Sequence, residues 1–192
     1  MDNYTPTPNA YYEALEKKAL EDRTIWFNDM VDEVSCTQTI LYLEKLEKVD
    51  RAKEQKPKIT IICNSNGGLC YQGLMLISKM ESMIEDGYEI ETITGGMSAS
   101  MSFMIGISGS TRKGMKYSTY LCHQPSAGAI GTALKIKRES DELDRIWGIM
   151  KNIIKKKTKM SDELLDKIYE TELDYIMDSE EALKLGVIDE II

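Results

Sequence analysis

Two serines stand two residues apart in Gly95-Gly96-Met97-Ser98-Ala99-Ser100-Met101, where one apolar-rich run ends and the next begins. A serine that opens a helix after a strand is held rigidly beside the positive end of that helix, and this is how a hydroxyl is presented as a nucleophile. The same geometry caps helices that do no chemistry. The glycines let the backbone turn, and the small residues after them let it pack closely. At a helix start Ser98 and Ser100 point in different directions, and the residues alone do not choose between them.

A nucleophilic hydroxyl needs a base, and His123 is the single histidine of the chain. It closes the run Leu121-Cys122-His123-Gln124-Pro125, in which Pro125 ends strand pairing. A histidine hydrogen-bonded at a strand end is the plain alternative. Cys122 is a second candidate nucleophile, because thiolates pair well with histidine. Neighbours on a strand face opposite ways, so Cys122 turns away from His123 and reads as a core thiol. An oxyanion needs two convergent N–H donors. Met101 has a free N–H in the first helical turn. The Gly67-Gly68 turn supplies a second backbone that can approach closely. A carboxylate must orient the histidine, and Glu172, Asp174 and Asp178 lie in an irregular stretch that could reach a strand end.

These groups need a frame to hold them. Residues 1–10 read as a mobile arm and 11–192 as a single domain. Tyr11–Leu20 reads as a short helix and Thr24–Phe27 as a strand. Ser35 is the expected N-cap of a helix whose apolar face includes Ile40, Leu43 and Leu46. Ile59–Cys63 is β-branched and apolar, hence a buried strand. After the Gly67-Gly68 turn, apolar residues recur at Gly73, Leu76, Ile77, Met80 and Ile84 until Gly87 stops the helix. Tyr88–Thr94 is the next strand, Met101–Ile107 a helix, and Met115–His123 another strand. Strand, Gly-Gly turn and helix thus repeat, which argues for an α/β fold with a mainly parallel sheet and sites at the carboxyl ends of its strands.

Beyond His123, residues 126–131 read as extended and Thr132–Lys157 as a helix about 39 Å long. The apolar stripe of that helix holds Leu143, Ile146, Trp147, Met150 and Ile154 and is long enough to meet a partner subunit. A helix over 161–169, a capping box of Asp178 with Glu181, a short last helix ending at Gly186 and a strand over 187–192 close the chain.

Bulk composition bounds the function. The 192 residues suffice for one substantial domain. A net charge of -8 leaves no cation excess to displace counterions from nucleic acid. No apolar run spans a membrane, and the polar N-terminus has no signal core. The four cysteines, Cys36, Cys63, Cys70 and Cys122, form no Cys-x-x-Cys pair, and with one histidine no metal site is expected. Reduced thiols in a cytoplasmic protein are the expectation.

Asn64-Ser65-Asn66-Gly67-Gly68, Gly96-Met97-Ser98-Ala99-Ser100-Met101, His123-Gln124-Pro125, and Asp174 followed by Ser179-Glu180-Glu181-Ala182-Leu183 and Gly186-Val187-Ile188-Asp189 occur in that order. In this the chain resembles the ClpP family, the proteolytic subunit of the ATP-dependent Clp protease, from about Tyr11 to Ile192. The resemblance implies the ClpP/crotonase-like fold of repeated ββα-type units with a projecting handle, strand plus long helix, over about 124–157. It implies a serine endopeptidase with Ser100 as nucleophile, His123 as base and Asp174 as its orienting acid. The backbone N–H groups of Gly68 and Met101 become the oxyanion donors. Ser126, Ala127, Gly128 and Ala129 become the strand that pairs with substrate. It further implies polypeptide substrates, two stacked heptameric rings, a Clp-type AAA+ ATPase, no cofactor and no metal.

Departures from the family pattern are Asn66 in place of proline, Ser98 in place of alanine, and a short segment before Tyr11 unlike the axial-loop sequence. They are those of a divergent member, such as a phage or mobile element carries. Two other classes of function compete. An inactive, structural ring subunit is one, against which the complete Ser100, His123 and Asp174 set argues. A crotonase-type acyl-CoA enzyme is the other; it shares the fold and the paired N–H donors but relies on acids instead of a serine–histidine pair.

Overall fold

The computed structural model describes residues 8–192. Its helices are α1 (Pro8–Asp22), α2 (Glu33–Asp50), α3 (Cys70–Glu85), α4 (Met101–Ile107), α5 (Ala133–Lys157), α6 (Asp162–Glu170) and α7 (Ser179–Lys184). Its strands are β1 (Thr24–Phe27), β2 (Ile59–Ser65), β3 (Ile90–Ala99), β4 (Thr111–Gly114), β5 (Thr119–Cys122), β6 (Tyr175–Met177) and β7 (Glu190–Ile191). The expected α/β fold with a mainly parallel sheet is present. The order is β1-β2-β3-β4-β7, all parallel.

β3 is long enough to take two partners along one side. Glu91–Thr94 pairs with β4, and Met97–Ala99 pairs with β5. β6 then adds to β5 as the one antiparallel partner among the described residues. This fork brings the carboxyl ends of β3 and β5 and the amino end of β6 to one edge.

The sheet is pinned by apolar burial at each step. β2 buries Ile59, Ile61 and Cys63 on one face. α3 covers that region with Leu76, Ile77, Met80 and Met83. Gly73 has no side chain, and the Met101 side chain fills the space a Cβ there would take, so α3 crosses the start of α4 closely. α4 buries Met101, Phe103, Met104, Ile105 and Ile107. At about 1.5–3 kcal/mol for each large apolar side chain, α4 is an anchored element and not a surface turn.

Several boundaries differ from the sequence expectations. α1 begins at Pro8, a residue suited to the first helical position, so residues 8–10 of the expected arm are helical. Residues 1–7 of that arm lie outside the described residues. The N-cap of α2 is Asp32 and not Ser35. Asp32 accepts from the Val34 and Ser35 N–H groups, and Ser35 closes a capping box from the third helical position. Asp178 caps α7 as expected by accepting from the Glu181 N–H. The Glu181 carboxylate instead takes the Tyr175 hydroxyl.

Gly95 and Gly96 make no turn; they lie inside β3, and the chain reverses at Ser100. The strand expected at 115–123 is shortened to β5, and the closing strand to β7. Residues 126–131 form no strand. A strand needs a backbone partner, and the single chain offers none there. The C-terminal half of α5 packs its stripe of Ile146, Trp147, Met150 and Ile154 on its own chain, with Trp147 stacked on Tyr169 at 5.6 Å. Its N-terminal half is exposed and carries the unburied Leu134 and Ile136.

Candidate active site

Ser100 sits between β3 and α4 with φ 54 and ψ -123, backbone angles that suit glycine. A side-chain-bearing residue there is strained by about 1–3 kcal/mol and is held only by its surroundings. Three contacts hold it. The Ser100 N–H donates to the Leu121 carbonyl of β5 at 2.9 Å. Its carbonyl accepts from Met104 in α4 at 3.3 Å. The Gly67 backbone lies so close that a Cβ there would meet Ala99 O at 2.6 Å and the Ser100 Cβ at 2.7 Å. Ser100 is half-exposed. Ser98 is 1% exposed and its hydroxyl donates to the Ser102 carbonyl at 3.1 Å. Of the two serines, Ser100 is the accessible one.

His123 and Asp174 meet through strand pairing. β5 and β6 pair Tyr120 with Met177, Leu121 with Ile176, and Cys122 with Tyr175. The next step of that register sets His123 opposite Asp174. Nδ1 of His123 lies 3.5 Å from an Asp174 carboxylate oxygen. Nε2, on the other side of the ring, is buried without a hydrogen-bond partner. No hydrogen bond joins it to Ser100 in the isolated chain. Glu172 and Asp178 are spoken for differently: Glu172 occupies a left-handed turn at φ 52, and Asp178 caps α7.

The two backbone donors flank the elbow. Met101 opens α4, so its N–H has no intrahelical partner. Gly68 is held at φ 150 by a bridge to Val31. The Val31 N–H donates to Gly67 O at 2.9 Å, and the Leu69 N–H donates to Val31 O at 2.7 Å. Both bonds use the peptides on either side of Gly68. Its own N–H faces the other way, and a Cβ at Gly68 would strike the Val31 carbonyl. Ser126, Ala127 and Gly128 are exposed and Ala129 half-buried, in an unpaired stretch directly after the His123 strand end.

All four cysteines are free, and burial pushes the thiols of Cys63 and Cys122 up to about 12. Cys122 is therefore a core thiol. Among the described residues no cluster of three or more His, Cys, Asp or Glu is placed to hold a metal ion. Among them, too, no helix is long and apolar enough to cross a membrane.

From residue 9 to residue 192 the chain matches the family model for Clp protease. The chain belongs to the Clp protease family. It is similar to the ATP-dependent Clp protease proteolytic subunits of two strains of Bacteroides fragilis and of Bacteroides thetaiotaomicron. Each is 30% identical over 178 residues, which is 91% of this chain and 76–81% of those proteins.

Two residues of this Clp protease chain escape sequence reasoning. Val31 shapes the Gly68 turn from a loop with no motif. Asn64 contacts the serine-bearing strand, although its place just before Ser65-Asn66-Gly67-Gly68 was the available signal.

Proposed function

We propose that this chain is a serine endopeptidase subunit that cleaves unfolded polypeptides. The observation that carries the reading is the strained Ser100 elbow at the strand edge where His123 and Asp174 face one another. Family membership supports it independently.

In this reading His123 Nε2 takes the Ser100 hydroxyl proton as Oγ attacks a peptide carbonyl. A C–O bond forms, and the carbonyl π electrons move onto oxygen. The N–H groups of Gly68 and Met101 receive that oxyanion. Asp174 keeps the Nδ1 proton in place and offsets the imidazolium charge. The proton on Nε2 then passes to the departing amine as the C–N bond breaks. Water, deprotonated by the same nitrogen, then attacks the acyl carbon; the C–Oγ bond breaks, Ser100 Oγ takes the proton back from Nε2, and the carboxylic acid product leaves.

Residues 126–129 supply a free backbone edge beside His123 on which an extended peptide can pair. We also propose two stacked heptameric rings fed by a Clp-type AAA+ ATPase, in the cytoplasm, with the exposed half of α5 lying between rings. The His123–Asp174 gap of 3.5 Å and the unpartnered Nε2 fit a site that tightens on assembly or substrate binding.

Hydrolysis of a fluorogenic peptide tests the reading, alongside native mass spectrometry of the same sample. Wild type turns over as an assembly with the mass of two heptamers, while Ser100→Ala and His123→Ala assemble equally without turnover. Turnover that survives Ser100→Ala contradicts it.

A further inference from the structure

β2 and β3 do not stay in one register. Ile59 through Cys63 pair with Ile90 through Thr94, whereas Ser65 pairs with Ser98. Three residues of β3, Gly95-Gly96-Met97, therefore oppose the single residue Asn64 of β2. Such a bulge leaves ladder groups without partners. The Asn64 side chain occupies it. Its Oδ1 accepts from the Met97 N–H at 3.0 Å, and its Nδ2 donates to Asn28 Oδ1, at the end of β1, at 2.5 Å. Gly96 admits it, because a Cβ there would lie 2.5 Å from Asn64 Oδ1.

The bulge has a consequence two residues on. If the register of Ile59–Cys63 continued unbroken, Gly67 would lie beside Ser98. The two-residue shift puts it beside Ser100 instead, and Gly67 does pack against the Ser100 Cβ. A shift of two keeps each side chain on its own face of the sheet. What changes is which serine reaches the elbow.

We infer that Asn64 is a positioning residue for the nucleophile: its side chain fastens the three-for-one bulge and so sets Ser100, not Ser98, against the Gly67-Gly68 turn. The inference rests on the reading of Ser100 as nucleophile. Asn64 touches no reacting atom and acts through Met97. It is also exposed, so its replacement opens no core cavity.

The test uses the full-length assembled protein and four variants: Asn64→Ala, Asn64→Asp, Gly96→Ala and the double Asn64→Ala/Gly96→Ala. Two readouts are taken, the rate of fluorophosphonate labelling and peptide kcat and KM, with backbone hydrogen exchange at Met97 as a third that needs no activity. Asn64→Ala lowers kcat and the labelling rate about 100-fold, as a displacement near 1 Å can do, with KM within about twofold. Asn64→Asp retains the acceptor and keeps most of the activity. Gly96→Ala evicts the Asn64 side chain and matches Asn64→Ala, and the double variant is no worse than either single one. Met97 exchanges faster in Asn64→Ala and Gly96→Ala while the exchange of α4 stays unchanged.

Full labelling of Asn64→Ala at Ser100, or additive losses in the double variant, overturns the inference with the serine peptidase reading intact. An unreactive wild type removes that reading instead. The bulge is then decided by exchange alone: faster Met97 exchange in Asn64→Ala upholds the fastening, and unchanged exchange overturns it.

Discussion

His123 faces Asp174 because the two follow directly in the antiparallel register of β5 and β6, one step past the Cys122–Tyr175 pair. Backbone pairing brings the two positions side by side, and their side chains meet at 3.5 Å. β6 is in turn tied down by the Tyr175 hydroxyl on Glu181 of α7, a bond that, with burial, pushes the Tyr175 phenol up to about 12. The acid is thus delivered to the histidine by a three-residue strand.

In the proposed mechanism Asp174 orients His123. Asp174→Asn keeps the strand and removes the charge, so turnover falls on the order of 10²–10⁴-fold with little change in KM. Peptide hydrolysis measures this directly. Turnover within a few-fold of wild type shows that the carboxylate does not serve His123.

The elbow itself is open to a stability measurement. At φ 54 and ψ -123 glycine is at ease and alanine is not. Ser100→Gly and Ser100→Ala both lose turnover. Ser100→Gly is nevertheless more stable than Ser100→Ala by about 1 kcal/mol, strain relief being partly offset by the added freedom of the unfolded chain. Equal thermal midpoints mean the elbow carries no strain.

Gly67→Ala probes the contact between the Gly67-Gly68 turn and the Ser100 elbow. The added Cβ lies 2.9 Å from Met101 N and closer still to Ala99 and Ser100, on a backbone at φ 93. Overpacking of this kind destabilises by about 1–3 kcal/mol. It also displaces both the proposed nucleophile and a proposed oxyanion donor. Labelling of Ser100 falls about 100-fold, and wild-type reactivity in this variant contradicts the close approach.

Remote from the site, Asp50 at the end of α2 has a fully buried carboxylate paired with Arg23 at 2.6 Å and Lys53 at 2.8 Å. Burial alone would raise its pKa; Lys53 and Arg23 outweigh burial and hold it below the ordinary aspartate range. Its contribution is therefore present above its unfolded pKa of about 3.9 and is lost as pH falls through the lower folded value. Asp50→Asn is less stable at neutral pH by about 3 kcal/mol, because it leaves Arg23 short of its partner. Denaturation from neutral pH down to about pH 3 shows a shallower acid loss in the variant than in wild type. Parallel curves contradict this account.

The sequence carries some of these elements openly and hides others. β1, α4 and the core of α3 were legible because β-branched runs and apolar spacing mark them. Ser100, His123 and Asp174 stood out through the family motifs, but the pairing of His123 with Asp174 did not. β6 is three residues long and half-exposed, so no periodicity announces it, and without it the choice among Glu172, Asp174 and Asp178 has no geometric basis. β4, Thr111-Arg112-Lys113-Gly114, has no apolar residue to mark it as a strand. It is a strand because its backbone pairs with β3 and β7, and the ion pairs of Lys113 with Glu91 and Glu190 and of Arg112 with Asp189 accompany that pairing. Gly95 and Gly96 read as a turn because glycine allows one. Their use here is to admit the Asn64 side chain into a bulge, which depends on β2 lying alongside.

The most direct test of the central claim is the site of covalent labelling. The assembled protein is treated with a fluorophosphonate, and the adduct is mapped by tandem mass spectrometry. The account predicts one adduct on Ser100, absent in Ser100→Ala, and strongly diminished in His123→Ala. An adduct on Ser98, or labelling that persists without the Ser100 hydroxyl, would contradict it.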